Sequence, residues 1–585
     1  MVGRDTVALL LTLLVAPAVA GELKYKDRLL GRLVQQVPGL MSTYDAQTGR
    51  FGKGIWLCND QEVMYPLAVA YATPGAGNTY YKDSKLLAVI GRAGEALIDD
   101  MDAHGAWEFR KKDGSTWGKI RMPWTYSRWI RSYALVRDDL PAAQRERWTQ
   151  ALTLGYTEIA RSDLHQVHNI PTHHAMGLYA AGKILGRPAW CQQAASFMAR
   201  VVAAQNEGGY WAEGGGPVVG YDFVYLDALG TYCAMSGDRS VLPALAKGAL
   251  FHARFTYPSG QSVETLDQRN PYHDRIEAGN VAFTFTPEGR AYLAQQWQLL
   301  DGRLSADLSA SLLLYGVEGS TAVPPAGGNE TFVLREAGVM RAATVRRGPW
   351  FVCLSAYTAP LANSRWHQDR QNLASIWHEK TGLLLGGGNT KLQPGWSTIT
   401  VGDESLLQHR AGDTKPDFRP KGSLFHIPRQ ATLTVDPRPG LTLDVGPERC
   451  TVGLEVQDSR HLVYTVERQG DTELPAAAHL TLLPRVGWTL TSAAGRTEKL
   501  GLKPIAWDAK ELRGNVGLAP PSKPAPAVMA SGFRLRLPTS ATLRWPVLPH
   551  NPYRADGHAT LGEGRIEIRI PLAPKHAERV VLEIE

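Results

Sequence analysis

At 585 residues the chain is longer than one hydrophobic core usually serves, since domains commonly hold about 100–200 residues, so two large domains are expected. A formal charge of +7 favours anionic partners, but the basic residues are scattered and form no Lys/Arg-rich arm, which argues against a nucleic-acid reader. The five cysteines (Cys58, Cys191, Cys233, Cys353, Cys450) are odd in number, far apart and without CxxC spacing; they exclude a disulfide framework and leave room for two bridges at most.

The chain opens with Arg4, the apolar run Val7 to Ala20 and the small-residue pattern Ala18-Val19-Ala20 before Gly21, which predicts a cleaved export signal over residues 1–20. The run is too short to span a membrane and no later apolar stretch reaches about 20 residues, so a soluble periplasmic or secreted protein is expected. From Lys26 to Leu314 apolar residues recur at helical spacing, as in Leu29, Leu30, Leu33, Val34 and Val37, and again in Leu86, Leu87, Val89, Ile90, Ala93 and Leu97. Gly, Pro or Asp breaks follow each run, a pattern of repeated helical hairpins that predicts an α/α toroid, an incomplete barrel, over residues 21–320. Residues 321–329 have a linker's composition. Beyond them the period falls to two, with strands expected at Phe332 to Val345, Trp350 to Tyr357, Ala374 to Leu385, Ala431 to Val435, Leu462 to Glu467, Leu480 to Leu483 and Val580 to Ile584. The fold class is therefore α+β multidomain, a toroid followed by an antiparallel β-sandwich over residues 330–585.

Three stretches carry groups suited to chemistry. In His168-Asn169-Ile170-Pro171-Thr172-His173-His174, Pro171 suits a first helical position, so Asn169 crowds a helix N-terminus where free N–H groups favour an anion such as a carboxylate. Simple capping by Asn169 explains the same pattern. The glycine-rich run Gly208 to Pro217, which contains Glu213, leads into Tyr221 at the start of the next helix, and a tyrosine can serve as acid or base when cations lower its pKa. Arg365-Trp366-His367-Gln368-Asp369-Arg370-Gln371-Asn372 packs polar groups just before an apolar strand, which suits the lining of an opening; His367 and Asp369 are also candidate metal ligands.

These stretches resemble the heparinase II/III-type polysaccharide lyases. The Gly-Gly-Tyr-Trp-Ala-Glu loop followed by Tyr221 and Asp227 is similar to the family's glycine-rich loop and catalytic-tyrosine helix, and Phe332 to Arg341 to its sandwich-opening strand. The segment from His367 to Gly386 is similar to its histidine-bearing strand, with the family's His-x-His-x-Asp pattern replaced by His367-Gln368-Asp369-Arg370-Gln371-Asn372. The resemblance implies β-elimination at a uronic acid of an anionic polysaccharide, with Asn169 neutralising the carboxylate, His173 or His367 as base, and Tyr221 as acid or as acid and base together. His174 is a weaker substitute for His173. Further substrate contacts are expected from Trp124, Tyr126, Arg128 and Trp129, with a weaker group in Trp56, Asn59 and Asp60, and from Glu213 and Arg370. No cofactor is implied beyond room for a structural divalent cation.

Two rivals compete. A glycoside hydrolase would need two carboxylates facing one bond, for which Glu213, Asp222 and Asp60 are available. A non-catalytic polysaccharide-binding protein would keep the fold alone. The loop Glu264 to Ile276 is expected to shape the pocket.

Overall fold

The computed structural model describes residues 19–111, 114–269, 272–322, 329–408, 416–483, 486–521, 531–554 and 556–585. The predicted export signal up to residue 18 and most of the predicted linker lie outside them. Among the described residues no helix is long and apolar enough to cross a membrane, and the five cysteines are unpaired thiols.

Among the described residues eleven α-helices form the first half: α1 (Lys26–Met41), α2 (Met64–Ala72), α3 (Ser84–Asp99), α4 (Pro123–Val136), α5 (Ala142–Ser162), α6 (Asn169–Ile184), α7 (Pro188–Ala203), α8 (Val219–Ser236), α9 (Leu242–Arg254), α10 (Pro287–Leu299) and α11 (Ala306–Tyr315). Burial sorts them into two rings. Helix α2 is buried on every side from Met64 to Tyr71, and α4, α6 and α8 are buried over most of their surfaces, as helices walled in by neighbours must be. Helix α3 is one-sided, burying Leu86, Ile90, Ala93 and Leu97, and so belongs to the outer layer. The inner ring runs α11–α2–α4–α6–α8 and closes weakly from α8 back to α11. Strand Val19–Leu23 pairs antiparallel with Gly319–Ala322, tying the start of the described chain to the exit from the toroid.

The second half is an antiparallel sandwich. One large sheet runs from Ile505–Trp507 through Ala476–Leu482 and Ala374–His378 to Asn329–Glu336; the other runs from Gln430–Thr434 through Glu448–Val456 and His576–Ile584 to Thr497–Lys499. Their inner faces interdigitate in one apolar core, with Trp350, Ile376 and Leu480 from the first sheet meeting Leu443, Val466 and Val580 from the second. The expected strand Phe332 to Val345 is a hairpin of Asn329–Glu336 and Val339–Arg347, because Ala337 and Gly338 both adopt positive φ (48° and 77°), the geometry of a tight two-residue turn.

Toroid and sandwich meet over a shared apolar patch that joins Tyr210, Val219, Phe251, Phe255 and Tyr257 to Leu334, Phe351, Tyr357 and Trp377. Tyr210 and Tyr357, one from each side, both donate to Glu336 Oε1, at 2.6 and 2.7 Å. This seam fixes the sandwich against the helices.

Candidate active site

The first turns of the inner helices share one end of the toroid. Glu62, just before α2, lines one cavity of about 670 Å³ together with Arg128 of α4 and Asp307 of α11. Asn169 at the start of α6 meets Glu213 just before α8. The starts of α2 and α11 thus border that cavity, while the starts of α6 and α8 meet where Asn169 reaches Glu213.

The glycine-rich loop is pinned from both domains. Asp222 in the first turn of α8 accepts from Trp211 N at 3.0 Å and from the fully buried His252 Nε2 at 2.8 Å. Trp211 stacks on Tyr225 at 5.2 Å. From the sandwich, Arg370 donates to Pro217 O at 3.3 Å and to Leu266 O at 2.8 Å. Gly216 has φ +139°, and a Cβ there would stand 2.8 Å from Arg370 Nη2, so both backbone and space demand glycine. The segment Asp267-Gln268-Arg269 completes the frame. Asp267 accepts from Val219 N at 3.0 Å, capping α8, and from Arg269 N at 2.6 Å. Gln268 accepts from Gly215 N at 2.7 Å through its side chain and from Gln368 N at 2.9 Å through its carbonyl. The last bond lays Trp366-His367 alongside Arg269.

Within this frame Asn169 Nδ2 donates to Glu213 Oε1 at 3.2 Å, and Tyr225 OH donates to the same oxygen at 2.9 Å. Arg269 Nη2 donates to the Tyr221 hydroxyl at 3.1 Å, its guanidinium 5.0 Å from the ring centre. His367 flanks Gly214, where a Cβ would stand 2.9 Å from His367 Nδ1. Burial raises the Tyr221 pKa above the usual tyrosine value even against the pull of Arg269. Burial, then the cations Arg269 and Lys391, lower that of His367. At neutral pH the site therefore holds a protonated phenol, a neutral imidazole, a carboxamide and a fixed cation. Those are the parts of an acid–base site for an anionic substrate.

Asn169, Glu213, Tyr221 and His367 thus come together, whereas the remaining expected residues divide. His173 lies one turn deeper in α6, is only 2 % exposed, packs against Trp124 at 5.9 Å and holds Nε2 3.8 Å from Asp227. Burial pushes its pKa down to about 3. His174 turns away, its Nε2 on Arg121 O at 2.7 Å, beneath a separate cavity of about 830 Å³. Tyr126 and Trp129 are corrected to core residues, 1 % and 0 % exposed, with the Tyr126 hydroxyl donating to Gly105 O at 2.6 Å. They lie on the side of α4 that packs into the toroid. Arg370, 1 % exposed, is likewise a strut beneath the loop rather than a substrate contact. Arg128 does reach the mouth, beside Asn59 and Asp60, but both arms of its fork hold Asp307, at 2.5 and 2.7 Å. Sequence reasoning missed Arg269, which donates to Tyr221. Arg269 falls in the loop singled out for pocket shape, yet no local pattern distinguishes it from Arg275.

The donors do not fit a divalent cation at Asp369. Its two oxygens are taken by Lys391 Nζ at 2.8 Å and His426 Nε2 at 2.9 Å, all three groups buried, so an ammonium already supplies the positive charge. Glu404, His479 and Glu567 have metal-ligand spacing, but Arg569 holds Glu404 at 2.9 Å and Arg544 holds Glu567 at 2.6 Å.

No family sequence profile matches the chain, nor does any curated protein sequence. Solved structures do. A xanthan lyase from Paenibacillus superposes with a TM-score of 0.54 at 12% identity, over 95% of this chain and 57% of its own, so the chain spans little more than half of that enzyme. Heparinase III superposes with a TM-score of 0.53 at 11% identity, over 100% of this chain and 87% of its own. The chain has the fold of these heparinase-type polysaccharide lyases, a helical toroid followed by an antiparallel β-sandwich.

Proposed function

We propose that the protein is a polysaccharide lyase that cleaves a uronate-containing polysaccharide by β-elimination in the groove between toroid and sandwich. The observation that carries this reading is the pairing of Arg269 with the Tyr221 hydroxyl at 3.1 Å, in one frame with Asn169 and His367. The proton removed from C5 is barely acidic until the neighbouring carboxylate is neutralised and the developing enolate is held. Asn169, at the N-terminus of α6, donates to that carboxylate through its second amide hydrogen, the first being fixed on Glu213. His367, neutral because its pKa is depressed, takes the C5 proton. The C–H electron pair becomes the C4=C5 double bond as the C4–O bond breaks, and the Tyr221 phenol protonates the departing oxygen. Arg269 stabilises the tyrosinate left behind.

Two features weigh against hydrolysis. Asp222 is fully buried on His252 and Trp211, out of reach of any sugar, and Asp60 lies in the separate cavity beside Arg128. Neither of these two carboxylates then stands opposite Glu213. Incubation with alginate, polyglucuronate and hyaluronan tests the proposal. A lyase generates the ultraviolet absorbance of an unsaturated uronate, and Tyr221→Phe abolishes it while sparing binding. New reducing ends without absorbance would replace elimination by hydrolysis.

A further inference from the structure

The groove has a wall at one side. Between α3 and α4 the toroid extends a hairpin, Trp107–Arg110 with Thr116–Ile120, whose second strand is exposed along most of its length. Trp117 stands on that strand, 52 % exposed, edge-on to Phe109 at 5.0 Å. It reaches across to the sandwich, where its ring meets Trp366 at 5.2 Å, and Trp366 in turn meets Tyr553 at 5.8 Å. Cations brace the rings: Lys111 Nζ lies 3.9 Å from the Trp117 ring centre, and the Arg365 guanidinium 5.2 Å from that of Trp366. Arg269, which holds Tyr221, is also 5.9 Å from the Trp366 ring centre. The clasp therefore ends on the residue that braces the proposed proton donor.

A large, exposed tryptophan held across a groove is not accounted for by the core, since Trp117 belongs to none of the buried clusters. Its contacts with Phe109, Lys111 and Trp366 tie the hairpin to the sandwich. Through Arg269 the rings stand beside Tyr221, so a polymer running past Tyr221 towards Trp366 would meet them. An end of a chain need not pass them, and its terminal sugars would find aromatic faces and guanidinium groups, the surfaces that stack sugars and pair with carboxylates.

We infer that the protein attacks its polymer from a chain end, with the Trp117–Trp366–Tyr553 clasp as the stop; this rests on the lyase reading above. The test has two arms. In digests of alginate, polyglucuronate or hyaluronan, absorbance of the unsaturated product rises while viscosity stays near its starting value, and the shortest products appear from the first time points. Trp117→Ala opens the groove and shifts early products towards longer oligosaccharides, with an earlier fall in viscosity. The second arm does not need turnover: Tyr221→Phe, titrated with size-fractionated polymer, saturates at one protein per chain whatever the chain length. Product formation together with an immediate viscosity drop, or saturation that grows with chain length, overturns the clasp and leaves the lyase reading standing. Binding at one protein per chain without any unsaturated product by the wild type sinks the lyase reading alone, and absence of binding to every polymer sinks both.

Discussion

Replacing Arg269 by methionine tests the link between the site's electrostatics and its chemistry. Methionine keeps most of the side-chain volume and removes the cation that donates to Tyr221 at 3.1 Å. In the resting enzyme that hydrogen bond meets a neutral phenol; as the leaving oxygen takes the proton, it meets a phenolate. Hydrogen bonds to charged groups contribute about 1.5–3 kcal/mol, and because both partners are partly exposed the lower half of that range applies. At about 1.4 kcal/mol per factor of ten, kcat falls by roughly 10- to 50-fold. KM moves little, because the interaction strengthens only in the transition state. Arg269 also pulls the Tyr221 pKa down against burial, so its removal carries the alkaline limb of the pH profile upward. Steady-state rates of absorbance increase across pH, for wild type, Arg269→Met and Arg269→Lys, give both readouts, with partial recovery of kcat expected in the lysine variant. A kcat for Arg269→Met within about twofold of wild type, a change too small for a charge-assisted bond, would refute the reasoning. So would an alkaline limb that does not move.

Two further predictions follow from the same geometry. Because the pKa of His367 is lowered, its imidazole stays neutral to a pH below the usual value of about 6.5, while Tyr221 keeps its proton to above about 10. The kcat/KM profile should thus be a broad plateau that falls on the acid side only below pH ~6.5, and an acid limb near pH ~7.5 would remove His367 as base. Asp222→Ala leaves His252 and the Trp211 amide buried without their partner, at a cost of about 3–5 kcal/mol in urea unfolding, whereas a loss below about 1 kcal/mol would mean that the loop is held by other contacts.

The groups proposed as proton donor, base and carboxylate holder come from both domains. Asn169 and Tyr221 are fixed by inner helices, whereas His367 comes from the sandwich and is placed by the bond between Gln368 and Gln268. The seam of Tyr210, Tyr357 and Glu336 helps to hold the sandwich, and with it His367, against the helices that carry Asn169 and Tyr221.

The sequence by itself determined the order of the halves, because a change of period from 3.6 to 2 reflects which face of each element is buried, and that is a local property. It also brought Asn169, Glu213, Tyr221 and His367 forward, since a proline-marked helix start, a glycine-rich loop and a dense polar run are local signals too. Depth and direction were not legible. Asn169 and His173 share a face of α6, but only the neighbouring helices decide that Asn169 meets Glu213 at the mouth while His173 is buried one turn inside. Tyr126 and Trp129 follow the same alternation as Trp124 and Arg128, and an inner helix walled on most sides gives no amphipathic pattern to tell them apart. Arg269, Trp117 and Tyr553 carry no local signal at all. They reach the site through contacts with Tyr221 and Trp366 across 48, 249 and 187 residues of chain, and contacts of that range are set by how the toroid docks on the sandwich.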